Sequence, residues 1–447
     1  MQASSSTSNL KQSQNSKNPN PFPKLTGKYK VGIHDFLSGI STDPSSVLIR
    51  FFYPTATKND EKPLGDQANW HETTDYITNY APTSGVAKLL KHYWKNVKMN
   101  GFSQDEIILA DNFLNGDKLE VVVFSHGLVG NRFMYGMTCQ EIASHGYLVA
   151  AVEHRDGSAS LSYEVDESGD RKRIEYVKYP IKYDFDAEIF KVRNAQVEKR
   201  TQELRNVCEV LKKLKEEKMP NHWNLDLAVN KTTFELDYGS SCDSLINNIS
   251  SKPYHLIGHS FGGGTVLNLV GKSPPNTFGN IIACDPWIFS LKLSLWTENY
   301  LTNKLAQPSK NNIVLLHSED WAWPILIAKL TKAGFNIFQQ CFSFPGTVHQ
   351  TFSDAPHAST LTSVPKWLQK KMCVRGKLGI DKAFSSVVGS MVYFLENGEM
   401  DGFCDEDEVI RRGYLDESRL SQNKTEINKE IARVFENDEV PRVFFDE

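Results

Sequence analysis

The chain has 447 residues, 40% of them hydrophobic and 23% charged, enough apolar material for one large domain with a sizeable core. Its 50 basic and 54 acidic residues leave a formal net charge of -4, without the basic excess expected of a nucleic-acid partner. The seven cysteines are scattered, none within four residues of another, so they form no local zinc or redox spacing and read as free thiols.

Residues 1–24 are rich in Ser, Asn, Gln, Lys and Pro and are expected to be a disordered tail ahead of a single domain over 25–447. The tail lacks the apolar core of a signal peptide, residue 2 is Gln2 rather than a myristoylated glycine, and no apolar run reaches about 18 residues. The expectation is a cytoplasmic protein with no transmembrane helix, at most peripheral to a membrane. Val47–Tyr53 reads as an early strand ended by Pro54. In the basic segment 86–98, Val86, Leu89, Leu90, Tyr93, Trp94 and Val97 share one helical face, with Lys88, Lys91, Lys95 and Lys98 along the flanks and opposite side. Such a helix suits a lipid interface or packing on the core, and the interfacial reading requires Leu89, Leu90 and Trp94 to be partly exposed.

Leu119–Phe124 and Tyr147–Val152 are short apolar runs around a helical stretch at 131–145, a βαβ unit that points to a parallel sheet. Residues 156–182 read as a polar surface excursion. A long helix is expected over 185–216, its stripe of Val197, Leu204, Val207, Leu211 and Leu214 packing on the core. Tyr254–Ile257, Ile281–Cys284 and Ile313–His317 read as buried strands that end in polar residues, as strands feeding a site at one sheet edge do. A helix is expected near 383–396, and no internal repeat is found.

The chemistry centres on Gly258-His259-Ser260-Phe261-Gly262. The pattern G-x-S-x-G is weak alone, but here a strand precedes it and Thr265–Val270 can start a helix after it. That is the nucleophile elbow of an α/β-hydrolase fold, a central, mostly parallel sheet flanked by helices. A serine hydroxyl needs a base, and His349, after the strand-like Phe342–Phe344, has the right chain position. His317 and His357 are weaker rivals, and His259 is expected to turn away from Ser260. The base needs a carboxylate, and Asp285 and Asp320 both keep the order serine, acid, histidine. Two aimed N–H groups must hold the oxyanion; Phe261 follows the nucleophile, and Leu128 lies in the loop Ser125–Gly130 after an earlier strand. The set calls for no metal or organic cofactor.

Phe124–Leu128, Ala143–Tyr147, Val152–Asp156, Arg193–Val197, Gly258–Gly263 and Val348–Phe352, taken in order, resemble the platelet-activating factor acetylhydrolases over about residues 45–395. The resemblance implies a calcium-independent esterase that removes short sn-2 acyl groups from phospholipid, and a membrane-contacting helix near 86–98. It favours Asp285 as the acid, because Cys284-Asp285-Pro286-Trp287 matches the family's acid segment apart from Pro286, whereas Ser318-Glu319-Asp320 matches a stretch with no triad role. A general carboxylesterase or lipase, and a catalytically dead hydrolase fold used for binding, are the rival readings. Oligomeric state is not legible.

Overall fold

A computed structural model describes residues 22–38, 43–57, 66–80, 87–103, 107–166, 170–178, 187–216, 225–226, 245, 247–274, 276–289, 291, 312–321, 330, 340–401, 403 and 411–412. The strands are β1 (Tyr29–Ser38), β2 (Val47–Thr57), β3 (Gln67–Asn69), β4 (Lys98–Ser103), β5 (Val121–Ser125), β6 (Leu148–Glu153) and β7 (Leu161–Val165). They continue with β8 (Arg171–Glu175), β9 (Leu225–Asp226), β10 (His255–His259), β11 (Ile281–Cys284), β12 (Ile313–Ser318), β13 (Cys341–Phe344) and β14 (Arg411–Arg412). One sheet runs β14-β13-β12-β11-β10-β5-β6-β2-β1-β4-β3, with β9 added beside β1. From β6 through β5, β10, β11 and β12 to β13 every neighbouring pair is parallel, and antiparallel β2 and β1 follow on the β6 side.

The parallel strands are apolar on both faces because both are covered. Val121, Val123, Leu256 and Ala283 join one core with Val197, Leu204 and Val207 of the helix Ala187–Glu216 and with Val266 and Leu267 of the helix Phe261–Gly271. Their alternates Val122, Phe124, Ile257 and Ile282 join a second core with the helices Gly136–Ser144 and Ile380–Asn397. The result is a helix–sheet–helix sandwich whose strands β10 to β13 deliver their C-terminal ends to one edge. In register, Gly258 lies beside Ala283, His259 beside Cys284, and Cys284 beside Leu316.

Four expectations change. The tail does not extend to residue 24: Phe22 is buried, edge-on to Trp70 at 5.7 Å, and the Pro23 carbonyl accepts a hydrogen bond from Asn100; residues 1–21 lie outside the described residues. Pro54 does not end β2, because it faces Val31 at a bulge where the ladder does not need its missing N–H. The stretch after residue 156 contains the antiparallel hairpin β7–β8, with Leu161 fully buried against Tyr76 and Phe133.

The fourth concerns the amphipathic segment. Its helix is short, Ala87–Trp94, and Leu90 and Trp94 are 0% and 1% exposed. Trp94 packs edge-on against Trp70 at 5.2 Å and Tyr80 at 5.5 Å. Leu89 is exposed, but Leu90 and Trp94 belong to the core, so this face cannot meet lipid in the folded protein. The apolar stripe found a better partner in the buried aromatic cluster. Among the described residues no helix is long and apolar enough to cross a membrane.

A buried ionic cluster ties β1 to the loop after β5. The Asp35 carboxylate pairs with Arg50 (2.6 Å) and Arg132 (3.0 Å), and Arg132 also reaches Glu72 (2.8 Å) and Glu153 (3.3 Å). Burial alone would raise the Asp35 pKa, but Arg50 and then Arg132 hold it well below the usual carboxylate range.

Candidate active site

At the end of β10 the chain turns sharply into the helix Phe261–Gly271, with Ser260 at the turn at φ 57° and ψ −119°. That left-handed φ costs a non-glycine residue conformational energy and is kept because the surroundings fix it. The Ser260 N–H donates to the Cys284 carbonyl and the Trp287 N–H donates to the Ser260 carbonyl, each at 2.8 Å. Close packing explains the two flanking glycines: a Cβ on Gly258 would strike the Gly262 backbone, and one on Gly262 would strike the Ser125 carbonyl.

The neighbouring parallel strands bring Asp285 and His349 to the same edge. Ser260 Oγ lies 3.0 Å from His349 Nε2, and His349 Nδ1 lies 2.9 Å from Asp285 Oδ2. A proton on Nδ1 is donated to the carboxylate and leaves Nε2 to accept from the serine hydroxyl. Asp285 Oδ1 accepts the Ser318 N–H (2.8 Å), and Oδ2 also accepts the Ser318 hydroxyl (2.5 Å). Burial would raise the Asp285 pKa, but the neighbouring His317 and His349 imidazoles overcome that and hold it well below the usual range. Of the two candidate acids, the structure therefore brings Asp285 to His349 Nδ1. Asp320 stands beside it, 2.8 Å from the Ser318 hydroxyl that also meets Asp285.

His259 does not turn away from the site. Its ring centre is 4.5 Å from that of His349, and its Nδ1 is hydrogen-bonded with the Tyr135 hydroxyl at 2.9 Å. Burial first, then the neighbouring His349, keeps the His259 pKa well below its ordinary value, so it remains neutral. On the other side of His349 lies Trp321, stacked at 3.9 Å. His317 shares Asp285, with Nδ1 3.6 Å from Oδ1, and His357 pairs elsewhere, with Asp381 at 3.1 Å. Tyr135, Ser318 and Trp321 carried no pattern in the sequence that marked them as site residues. Only folding places them there.

The loop after β5 lies directly on the nucleophile: a Cβ on Gly127 would stand 3.3 Å from Ser260 Cβ. Its N–H groups are mostly spoken for. Gly127 donates to the Tyr135 hydroxyl (3.0 Å), Val129 to the Ser158 carbonyl (2.8 Å) and Gly130 to the Gly127 carbonyl (3.0 Å). Among the described residues, the N–H groups of Leu128 and Phe261 have no hydrogen-bond partner. Below the loop, Arg200 donates to the His126 carbonyl (2.6 Å), Ser125 Oγ meets His154 Nε2 (2.8 Å), and His154 Nδ1 meets Glu203 (2.7 Å). These groups are buried and brace the loop from beneath.

Ligand-type atoms of His259, Asp285 and His349 lie within 4.8 Å of one another. Each side chain is already committed, His259 to Tyr135 and the other two to each other, so the donor set fits proton transfer better than ion coordination. Five cysteines among the described residues, Cys139, Cys208, Cys284, Cys341 and Cys373, are free thiols.

The model of the family described as "Platelet-activating factor acetylhydrolase, isoform II" matches residues 14–410. The chain belongs to this family. The dog platelet-activating factor acetylhydrolase is 28% identical over 340 residues, spanning 74% of this chain and 68% of that protein. The chicken protein of the same name is 28% identical over 345 residues, spanning 74% of each. Among solved structures, a ferulic acid esterase from Streptomyces cinnamoneus superposes with a TM-score of 0.54 at 14% identity, covering 87% of this chain and 97% of the esterase. That likeness concerns the fold, the α/β-hydrolase sandwich expected from the elbow. This member of the acetylhydrolase family is thus a hydrolase with the elbow serine, a histidine and a buried aspartate in hydrogen-bonding sequence.

Proposed function

We propose that the chain is a calcium-independent serine esterase that hydrolyses short sn-2 acyl esters, acetyl above all, of platelet-activating factor and related phospholipids. The observation that carries this reading is the hydrogen-bonded line from Ser260 through His349 to Asp285 in a chain of the acetylhydrolase family. His349 takes the Ser260 proton as Oγ attacks the acyl carbonyl, and Asp285 stabilises the imidazolium. The N–H groups of Leu128 and Phe261 receive the oxyanion. His349 then protonates the lysophospholipid oxygen, and a water activated by the same imidazole releases acetate from Ser260.

The substrate resides in or near a lipid surface, so the protein needs a peripheral contact with one. Because Leu90 and Trp94 are buried, we place that contact on the helix Lys366–Lys371 and its approach. There Leu361 and Trp367 are 49% and 61% exposed, beside exposed Lys366, Lys370 and Lys371. An exposed indole among lysines suits headgroup depth and anionic lipid.

The test is hydrolysis by purified protein of phospholipids that differ only in sn-2 chain length, with a calcium chelator present. Cleavage of acetyl but not palmitoyl chains supports the proposal. Equal rates move it to a general phospholipase, and no turnover together with no fluorophosphonate labelling moves it to a binding protein.

A further inference from the structure

The turn that follows β12 holds a carboxyl group for which the triad has no use. Ser318 Oγ lies 2.5 Å from Asp285 Oδ2 and 2.8 Å from Asp320 Oδ1. A hydroxyl has one proton and can donate it to one of these oxygens. Asp285 is the stronger claimant, because it also accepts from His349 Nδ1 and the Ser318 N–H and is held ionised there. If Asp320 were ionised too, its Oδ1 would face a lone pair of Ser318 Oγ with no proton between them, and two negative charges would flank one hydroxyl.

We propose that Asp320 is a positioning residue that works as the neutral acid: it donates its O–H to Ser318, and the Ser318 proton is thereby committed to Asp285. Resting on the triad reading above, this extends the line of hydrogen bonds by two members, Asp320 to Ser318 to Asp285, with His349 joining Asp285 from the other side. The surroundings act in the same direction, raising the Asp320 pKa above its ordinary value. Burial acts most strongly, and the Asp285 charge adds to it, against the Ser318 hydrogen bond and His349. The remaining charged groups of the turn are otherwise engaged: Glu319 accepts the Gly346 N–H at 2.6 Å and pairs with Lys377 at 2.9 Å, while His317 leans on Asp285 Oδ1. A neutral Asp320 braces the line without a second anion beside Asp285, and chains of such bonds strengthen one another.

Two measurements test this. The first is the infrared difference spectrum, at neutral pH, between wild type and Asp320→Asn, in which all other carboxyl groups cancel. A carboxylic-acid C=O band that shifts in D2O and is absent from the variant is expected; carboxylate bands in its place would overturn the proposal. The second is rescue. Asp320→Ala should lose about fivefold or more in kcat, the scale of one lost hydrogen bond, and Asp320→Asn, which still has a donor and an acceptor, should recover most of that loss. Asparagine as poor as alanine would show that the charge is needed and end the proposal. Should Asp320→Asn not fold, the spectrum is taken against Ser318→Ala. Removing the acceptor must then move the acid band, and an unmoved band is equally fatal. The infrared result does not depend on turnover, so it stands or falls apart from the esterase reading.

Discussion

The indole of Trp321 lies flat on the imidazole of His349, ring centres 3.9 Å apart and planes 11° from parallel. Trp321 is itself buried, its Nε1 directed at the Pro286 carbonyl. In the proposed reaction His349 becomes a cation beneath that indole face, and a buried cation–π contact contributes about 0.5–2 kcal/mol. Trp321→Leu should therefore lower kcat about 2- to 30-fold, and Trp321→Phe, which keeps a π face, should lose less. Steady-state rates of the two variants decide it; equal losses would mean that Trp321 is only filling space.

Replacing Ser260 with alanine should leave the fold intact and reduce turnover by several orders of magnitude, because the members of such a triad act as a unit. Fluorophosphonate labelling should disappear with it. More than a few per cent of wild-type turnover in this variant would remove Ser260 from the reaction.

Asp285→Asn should be far more damaging than Asp320→Asn. The first removes the charge opposite His349 Nδ1, whereas the second retains a neutral group beside Ser318. The ranking of kcat for the two variants is the readout, and the reverse order would put the triad acid after β12.

Stability should depend on acid pH through Asp35. Its folded pKa is depressed by Arg50 and Arg132, so its contribution is present above the unfolded value of about 3.9 and is lost as pH falls below it. Breaking this buried pairing by Asp35→Asn should cost about 3–5 kcal/mol near neutral pH. In denaturant melts the gap between wild type and variant should hold from pH 7 to about pH 5 and shrink as pH falls through about 4 towards 3. A gap independent of pH would mean that Asp35 contributes by shape alone.

The lipid contact separates two helices. Leu361→Ser with Trp367→Ser should weaken binding to anionic vesicles while sparing hydrolysis of a water-soluble ester. Trp94→Ala should instead destabilise the fold by about 3–5 kcal/mol, the usual cost of emptying a buried aromatic site. Vesicle sedimentation and thermal melts read these two effects, and unchanged sedimentation of the first variant would sink the assignment.

Much of the sheet was legible in the sequence because strands buried on both faces appear as continuous apolar runs, as in Val121–Ser125 and Ile281–Cys284. The elbow was legible because its glycines are required by backbone contacts to Gly262 and Ser125. The helix at Ala87–Trp94 shows the limit: periodicity tells which residues share a face, not whether that face meets lipid or Trp70. Pro54 misled because a bulge can absorb a missing donor, and the hairpin β7–β8 was hidden by its polar strands. Asp285 and Asp320 are equivalent in chain order, and spacing carries nothing about which of them meets His349. The contacts of Trp321 and Ser318 arise from neighbouring strands and left no local trace.

The register of β10 against β11 has a consequence for what the chain can tolerate by way of insertion and deletion. Ser260 and Asp285 each follow the last residue of their strand, and those last residues, His259 and Cys284, are direct partners. Deleting one residue within 281–284 would slide β11 by one position and reverse every side chain on it, exchanging the two cores it serves and turning the carboxylate from His349. A surface connection, by contrast, can lengthen at small cost in closure entropy. Length variation in proteins that retain this site should therefore be confined to the connections between strands, with the four residues that lead into Asp285 fixed in number while free to change among apolar types.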